Sequence, residues 1–104
     1  MICLYIDTND RNKSVIELQV DDIRYNEIIH SEKPHSELIL ASIEKICKKA
    51  KINPSDIEDI KVAIGPGSYT GLRVGVAIAN SLAFAAGARV NGKKIGTLAE
   101  PSYS

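Results

Sequence analysis

The sequence predicts an α/β fold in the order β-β-β-α-β-α-β, which fits a mixed five-stranded sheet carrying two helices, although strand counting alone leaves other α/β layouts open. Three observations predict it. Residues 2–6 and 60–64 are short apolar runs closed by turn residues, the pattern of buried strands. Residues 14–20 alternate apolar and polar, and residues 23–29 return after Asp21-Asp22, as in a tight antiparallel connection. Two longer stretches repeat apolar residues at helical spacing, one after Pro34 and one after a glycine-rich turn.

Each element has a local reason. The first strand ends at Asp7-Thr8-Asn9-Asp10, four residues that favour turns. Val15, Ile16, Leu18 and Val20 mark the second strand, and the third completes a meander. Pro34 opens a helix because its missing N–H would be unsatisfied there anyway. Ile39, Ile43, Ile46, Cys47 and Ala50 give that helix an apolar stripe, with Leu40 alongside and Glu37, Glu44, Lys45, Lys48 and Lys49 largely opposite. Its acid-first, base-last order suits the helix dipole. Asn53-Pro54-Ser55-Asp56 reads as a cap and a short helical turn. The second helix spans residues 72–86, with Gly87 as its C-cap. A last strand is expected within residues 90–97, interrupted at Asn91-Gly92, and residues 100–104 are expected to fray.

Composition narrows the function. The chain has 104 residues, 44% hydrophobic and 25% charged, which suits one soluble domain with a modest core. Thirteen basic residues balance thirteen acidic ones, and a protein gripping a nucleic-acid backbone by itself usually carries a basic excess. The cluster Lys45, Lys48, Lys49 and Lys51 reads as a solvated helix face. Cys3 and Cys47 form no CxxC, which fits a reducing cytosol. No signal peptide is evident. Asn80 and Ser81 interrupt the apolar run 74–88, so no membrane span is expected.

The glycine-rich segment 65–71 joins a strand to a helix start, where free N–H groups can hold anions. Its spacing, Gly65-x-Gly67-x-x-x-Gly71, fits neither a dinucleotide fingerprint nor a phosphate loop. A tight turn that lets the second helix sit close to the sheet is the simpler reading. Asp7 and Asp10 read as turn-forming aspartates. His30 and His35 have no metal-binding spacing, so no metal site is expected. Ser68 lacks the GxSxG setting of a nucleophile.

The second helix is unusual. At about 100° per residue, Leu72, Gly75, Val76, Ala79, Leu82, Ala83 and Ala86 share one apolar face. Val74, Ala77, Ile78, Ser81 and Ala85 form a second, nearly opposite face, with Phe84 beside it and Arg73 and Asn80 as a narrow polar strip. One small sheet covers one side of a helix. The Val74 side is therefore expected to be an exposed interface, formed by Arg73, Val74, Ala77, Ile78, Asn80, Ser81, Phe84 and Ala85; the alternative is an internal helix covered by the first helix and the C-terminal tail. On this reading Ile78→Glu disrupts association and leaves the monomer folded.

The segment Gly65-Pro66-Gly67-Ser68-Tyr69-Thr70-Gly71-Leu72-Arg73-Val74-Gly75 resembles the GPGSFTGLRIG signature of the TsaB (YeaZ) family. Ile6-Asp7-Thr8, His35-Ser36-Glu37 and Gly96-Thr97-Leu98-Ala99 resemble other family segments in the same order. The resemblance implies a ribonuclease H-like lobe of the actin-like ATPase superfamily. Family members have two lobes and about twice this length. Residues 1–104 are accordingly expected to form a single first-lobe domain without the second. The implied function is a non-catalytic partner of TsaD in threonylcarbamoyl modification of tRNA adenosine. The family pairs through this lobe's helices, with TsaD or with a second copy, so the resemblance implies a heterodimer and, in isolation, a homodimer. Further complex subunits are compatible with it, tRNA is met only indirectly, and the place is the cytoplasm. Asp7 and Thr8 occupy the strand end used for nucleotide in the superfamily. One lobe offers half a cleft, so neither ATP nor magnesium is expected as a cofactor. Two alternatives stand beside this reading: a nucleotide-binding half-domain of an actin-like enzyme, and a self-associating domain outside the tRNA pathway.

Overall fold

A computed structural model describes residues 1–10, 12–30, 36–67 and 69–102. Strands β1 (Ile2–Asp7), β2 (Lys13–Val20) and β3 (Ile23–His30) precede α1 (Ser36–Ala50). A single 3-10 turn at Pro54–Asp56 leads into β4 (Asp59–Val62), then α2 (Tyr69–Ala86) and β5 (Arg89–Val90). The sheet order is β3-β2-β1-β4-β5. β1, β2 and β3 are antiparallel, while β4 runs parallel to β1 and β5 parallel to β4. The mixed sheet and the element order are those expected from the sequence.

Alternation along the strands decides which face is covered. Leu4, Ile6, Ile16, Leu18, Ile60 and Val62 are buried, and their neighbours Cys3, Tyr5, Glu17 and Gln19 are only half-buried. Helix α1 lies over β2 and β3, α2 lies over β4, β5 and β1, and the helices touch each other. Ile39, Ile43, Ile46 and Cys47 from α1 meet Val76, Ile78, Ala79 and Ala83 from α2 in one core. At about 25 cal/mol per Å² of apolar surface removed from water, this core is the main stabilising term.

Several ends are closed as the sequence requires. Asp21 has φ 54° in the β2–β3 turn, and Gly87 has φ 67° directly after α2. The Ala88 N–H donates to the Ala83 carbonyl at 2.9 Å, the bond of a glycine-ended helix. The last strand is shorter than expected. Asn91 turns to φ 51°, and its side chain does the pairing instead. Its Oδ1 accepts from the Val62 N–H at 2.8 Å and its Nδ2 donates to the Val62 carbonyl at 3.1 Å. Helix α2 starts three residues earlier than expected. The tail is docked, not frayed, as far as it is described. Ala99 is buried, and the Ser102 N–H donates to the Ile64 carbonyl at 2.6 Å. Residues 103 and 104 lie outside the described residues, as do Pro34 and His35 at the expected start of the first helix.

Candidate partner-binding surface and its signature loop

The loop between β4 and α2 is held from below by the end of β1. Thr8 is fully buried, and its hydroxyl donates to the Gly71 carbonyl at 2.5 Å. A side chain on Gly75 would strike that hydroxyl, and one on Gly67 would overlap the Asn9 amide. Asn9 Nδ2 donates to the Pro66 carbonyl at 3.1 Å. The glycines at 67 and 75 are therefore there because helix and loop sit directly on residues 8 and 9. Gly65 has φ 109°, in the left-handed region that favours glycine, and a Cβ there would hit the Ser102 carbonyl. The two segments Ile6-Asp7-Thr8 and Gly65–Gly75 act as one packing unit, which is the simpler of the two readings of the glycines. Ser68 and the Tyr69 side chain lie outside the described residues.

Asp7 behaves as a turn residue. Its Oδ1 accepts from the Asn9 N–H at 2.9 Å, and its Oδ2 accepts from the Tyr5 hydroxyl at 3.1 Å. Both carboxylate oxygens of Asp7 and the Thr8 hydroxyl thus already have partners within the chain. Among the described residues no group of three or more His, Cys, Asp or Glu could hold a metal ion. Burial pushes both cysteine thiols above their usual range, which leaves little thiolate at neutral pH. Lys45 and Lys49 both reach Glu27 at 3.5 Å, so half of the lysine cluster is spent on β3.

The expected interface set on α2 divides. Arg73, Ala77, Ser81, Phe84 and Ala85 are exposed and lie at i, i+4, i+8, i+11 and i+12, a single outward stripe continued by exposed Thr70. Ile78 does not belong to it. It is 6% exposed and part of the core. Val74 is half-buried and packs against the same core. At Ile78 and Val74 the expected face was wrong, and the alternative of a helix covered by the first helix and the C-terminal tail holds there. Helix α1 closes one flank of α2 and the C-terminal segment another, so the wet stripe is narrower than the Val74 face. Asn80 is also turned to internal use. Its Oδ1 accepts from the Ala99 N–H at 2.9 Å and its Nδ2 donates to the Ala99 carbonyl at 3.0 Å.

Phe84 is 91% exposed, the most exposed large apolar side chain among the described residues. It borders a groove of about 270 Å³ lined also by Ala83, Gly87, Ile95 and Leu98. Ile95 and Leu98 are themselves 60% and 63% exposed. On α1, Leu38 and Leu40 add two more exposed apolar side chains. Sequence reading found the helix but missed Ile95, which it placed within the last strand, and Leu98, which it noted only in the segment Gly96-Thr97-Leu98-Ala99. The Asn91-Gly92 turn was the signal that they leave the sheet.

Residues 25–92, more than half of the chain, match a family model described as TsaD, tRNA N6-adenosine threonylcarbamoyltransferase. The chain belongs to that family. Within it the similarity is to TsaB. The tRNA threonylcarbamoyladenosine biosynthesis protein TsaB of Bacillus subtilis (strain 168) is 34% identical over 84 residues, covering 81% of this chain and 37% of that protein. TsaB of Buchnera aphidicola subsp. Schizaphis graminum is 36% identical over 81 residues, 78% of this chain and 38% of that one. TsaB of Haemophilus influenzae is 33% identical over 84 residues, 80% and 35%. The chain thus spans less than half the length of these relatives. Among solved structures, YeaZ from Pseudomonas aeruginosa superposes with a TM-score of 0.80 at 22% identity, over 86% of this chain and 41% of that one. That likeness fixes the lobe's fold as the one expected from the signature. Among the described residues no helix is long and apolar enough to cross a membrane.

Proposed function

We propose that this chain is a non-catalytic partner of a TsaD-type protein in threonylcarbamoyl modification of tRNA adenosine. The observation that carries the reading is the outward stripe of α2, where an almost fully exposed Phe84 adjoins Ala77, Ser81 and Ala85. Small residues let a partner helix approach closely, and the phenylalanine supplies the apolar anchor that interfaces favour. Arg73 lies at the rim of the stripe. The family match and the TsaB relatives support the pathway. The in-chain use of Asp7 and Thr8 supports a role without nucleotide or metal of its own, with the chemistry supplied by the partner and tRNA met through it. A second copy can use the same patch when TsaD is absent, because an isologous contact reuses one self-complementary surface.

The test is size-exclusion chromatography with light scattering, on the chain alone and mixed with TsaD from the same cell. A complex at micromolar concentration supports the reading. Its absence at that concentration refutes it and leaves a self-associating domain outside the tRNA pathway. Calorimetry with magnesium and ATP on the chain alone should show no micromolar binding; such binding would favour a nucleotide-binding half-domain.

A further inference from the structure

The C-terminal segment crosses α2 as a strap fastened at three points. Asn91 fixes its start, pairing its amide with both the N–H and the carbonyl of Val62. Asn80 fixes its middle, pairing with both backbone groups of Ala99 at 2.9 and 3.0 Å. The Ser102 N–H fixes its end on the Ile64 carbonyl at 2.6 Å. The last contact falls directly before the signature loop. There the Ser102 carbonyl fills the space that a Cβ of Gly65 would need, and Leu72 closes the other side. Between the fastenings the strap is open, with Lys93 to Leu98 exposed.

Asn80 is an odd residue for its place. An asparagine in mid-helix competes with the backbone and lowers helix stability. Alanine would fit the neighbouring pattern of Ala77, Ala79 and Ala83. Its amide, however, offers one donor and one acceptor in the spacing of a peptide group, and the Ala99 backbone takes both. The two bonds seat Ala99, which is 4% exposed, three residues before the contact at Ser102. Leu98, beside the clasped residue, lines the same groove as Phe84.

We infer that Asn80 is a positioning residue for the signature loop: it seats the strap on α2, and the strap in turn holds the Ile64–Gly65 turn from outside. The loop is then clamped from two sides, by Thr8 and Asn9 below and by the strap above. The inference concerns this chain alone and stands whether or not a TsaD-type partner binds.

Hydrogen exchange read by mass spectrometry on the full chain tests it. In Asn80→Ala the amides of residues 63–72 should exchange about tenfold faster, since two part-buried side-chain hydrogen bonds are lost. Peptides from β2 and β3 should be unchanged. Asn80→Asp sets a carboxylate oxygen against the Ala99 carbonyl in place of the donor, and should raise loop exchange at least as much. Ala99→Pro removes the donor from the strap without touching α2, and should reproduce the loop effect even if Asn80→Ala folds poorly. Faster exchange at residues 97–102 with no change in the loop would overturn the inference. A uniform rise across all peptides would overturn it too, since Asn80 would then be only a stabilising residue.

Discussion

Replacing Gly75 by alanine probes the seat of α2 on β1. In an open helical position this change stabilises by up to about 1 kcal/mol, because glycine loses more backbone freedom on folding. Here the added methyl meets the Thr8 hydroxyl, with Thr8 Cγ2 at 3.1 Å and Cβ at 3.3 Å. Thr8 is fully buried and bonded to the Gly71 carbonyl, so it yields only by giving up that bond. Overpacking of this kind costs about 1–3 kcal/mol, and the lost bond about 1 kcal/mol. Against the gain in helix propensity, the expected net effect is a destabilisation of about 2 kcal/mol. In a Thr8→Ala background the hydroxyl is gone, and the same Gly75→Ala change should fall close to neutral. Urea unfolding of the four proteins gives the coupling, expected at about 1–2 kcal/mol. If Gly75→Ala stabilises the native chain, or if the two effects simply add, the packing account of the signature glycines is wrong.

The remaining expectations concern the helix faces and one ion pair. Ile78→Glu should unfold the chain or cost at least about 3 kcal/mol, since it buries a carboxylate in the core; thermal denaturation reads this, and a fully stable monomer would restore Ile78 to the surface. Phe84→Ser should leave stability within about 0.5 kcal/mol in the same assay, and weaken partner association at least tenfold. Arg89 donates to both oxygens of Asp59, at 2.7 and 2.9 Å, and this holds the Asp59 carboxyl below the usual aspartate range. A depressed folded value stabilises above the ordinary aspartate pKa of about 3.9 and loses that contribution as pH falls through the folded value. The melting-temperature gap between native chain and Asp59→Asn should therefore be widest near neutral pH and close in acid; a constant gap would contradict it.

Much of the fold was legible because its signals are local. The alternation in β2, the Asp21-Asp22 turn and the stripe of Ile39, Ile43 and Ile46 each follow from period and turn chemistry. The glycine spacing excluded phosphate loops and left close packing, but the contacts with Thr8 and Asn9 join residues more than 55 positions apart, as in the Asn9–Pro66 bond. No local pattern records such a meeting. The candidate interface was half legible for the same reason. Period alone put Ile78 and Ser81 on one face, whereas the cover supplied by α1 and by the strap separates them. Asn80 looked like part of a polar strip, and its true partner at Ala99 became apparent only once the tail was seen to return over α2. The short β5 shows the same limit: an asparagine side chain took over the pairing that a longer strand was expected to make.

Isothermal titration of the chain into TsaD from the same cell, side by side with Phe84→Ser, tests the central claim most directly. Micromolar or tighter binding by the native chain, reduced at least tenfold in a variant of unchanged melting temperature, is the predicted result. Equal binding by both would show that the outward stripe of α2 is not the contact, and no binding by either would remove the partner role.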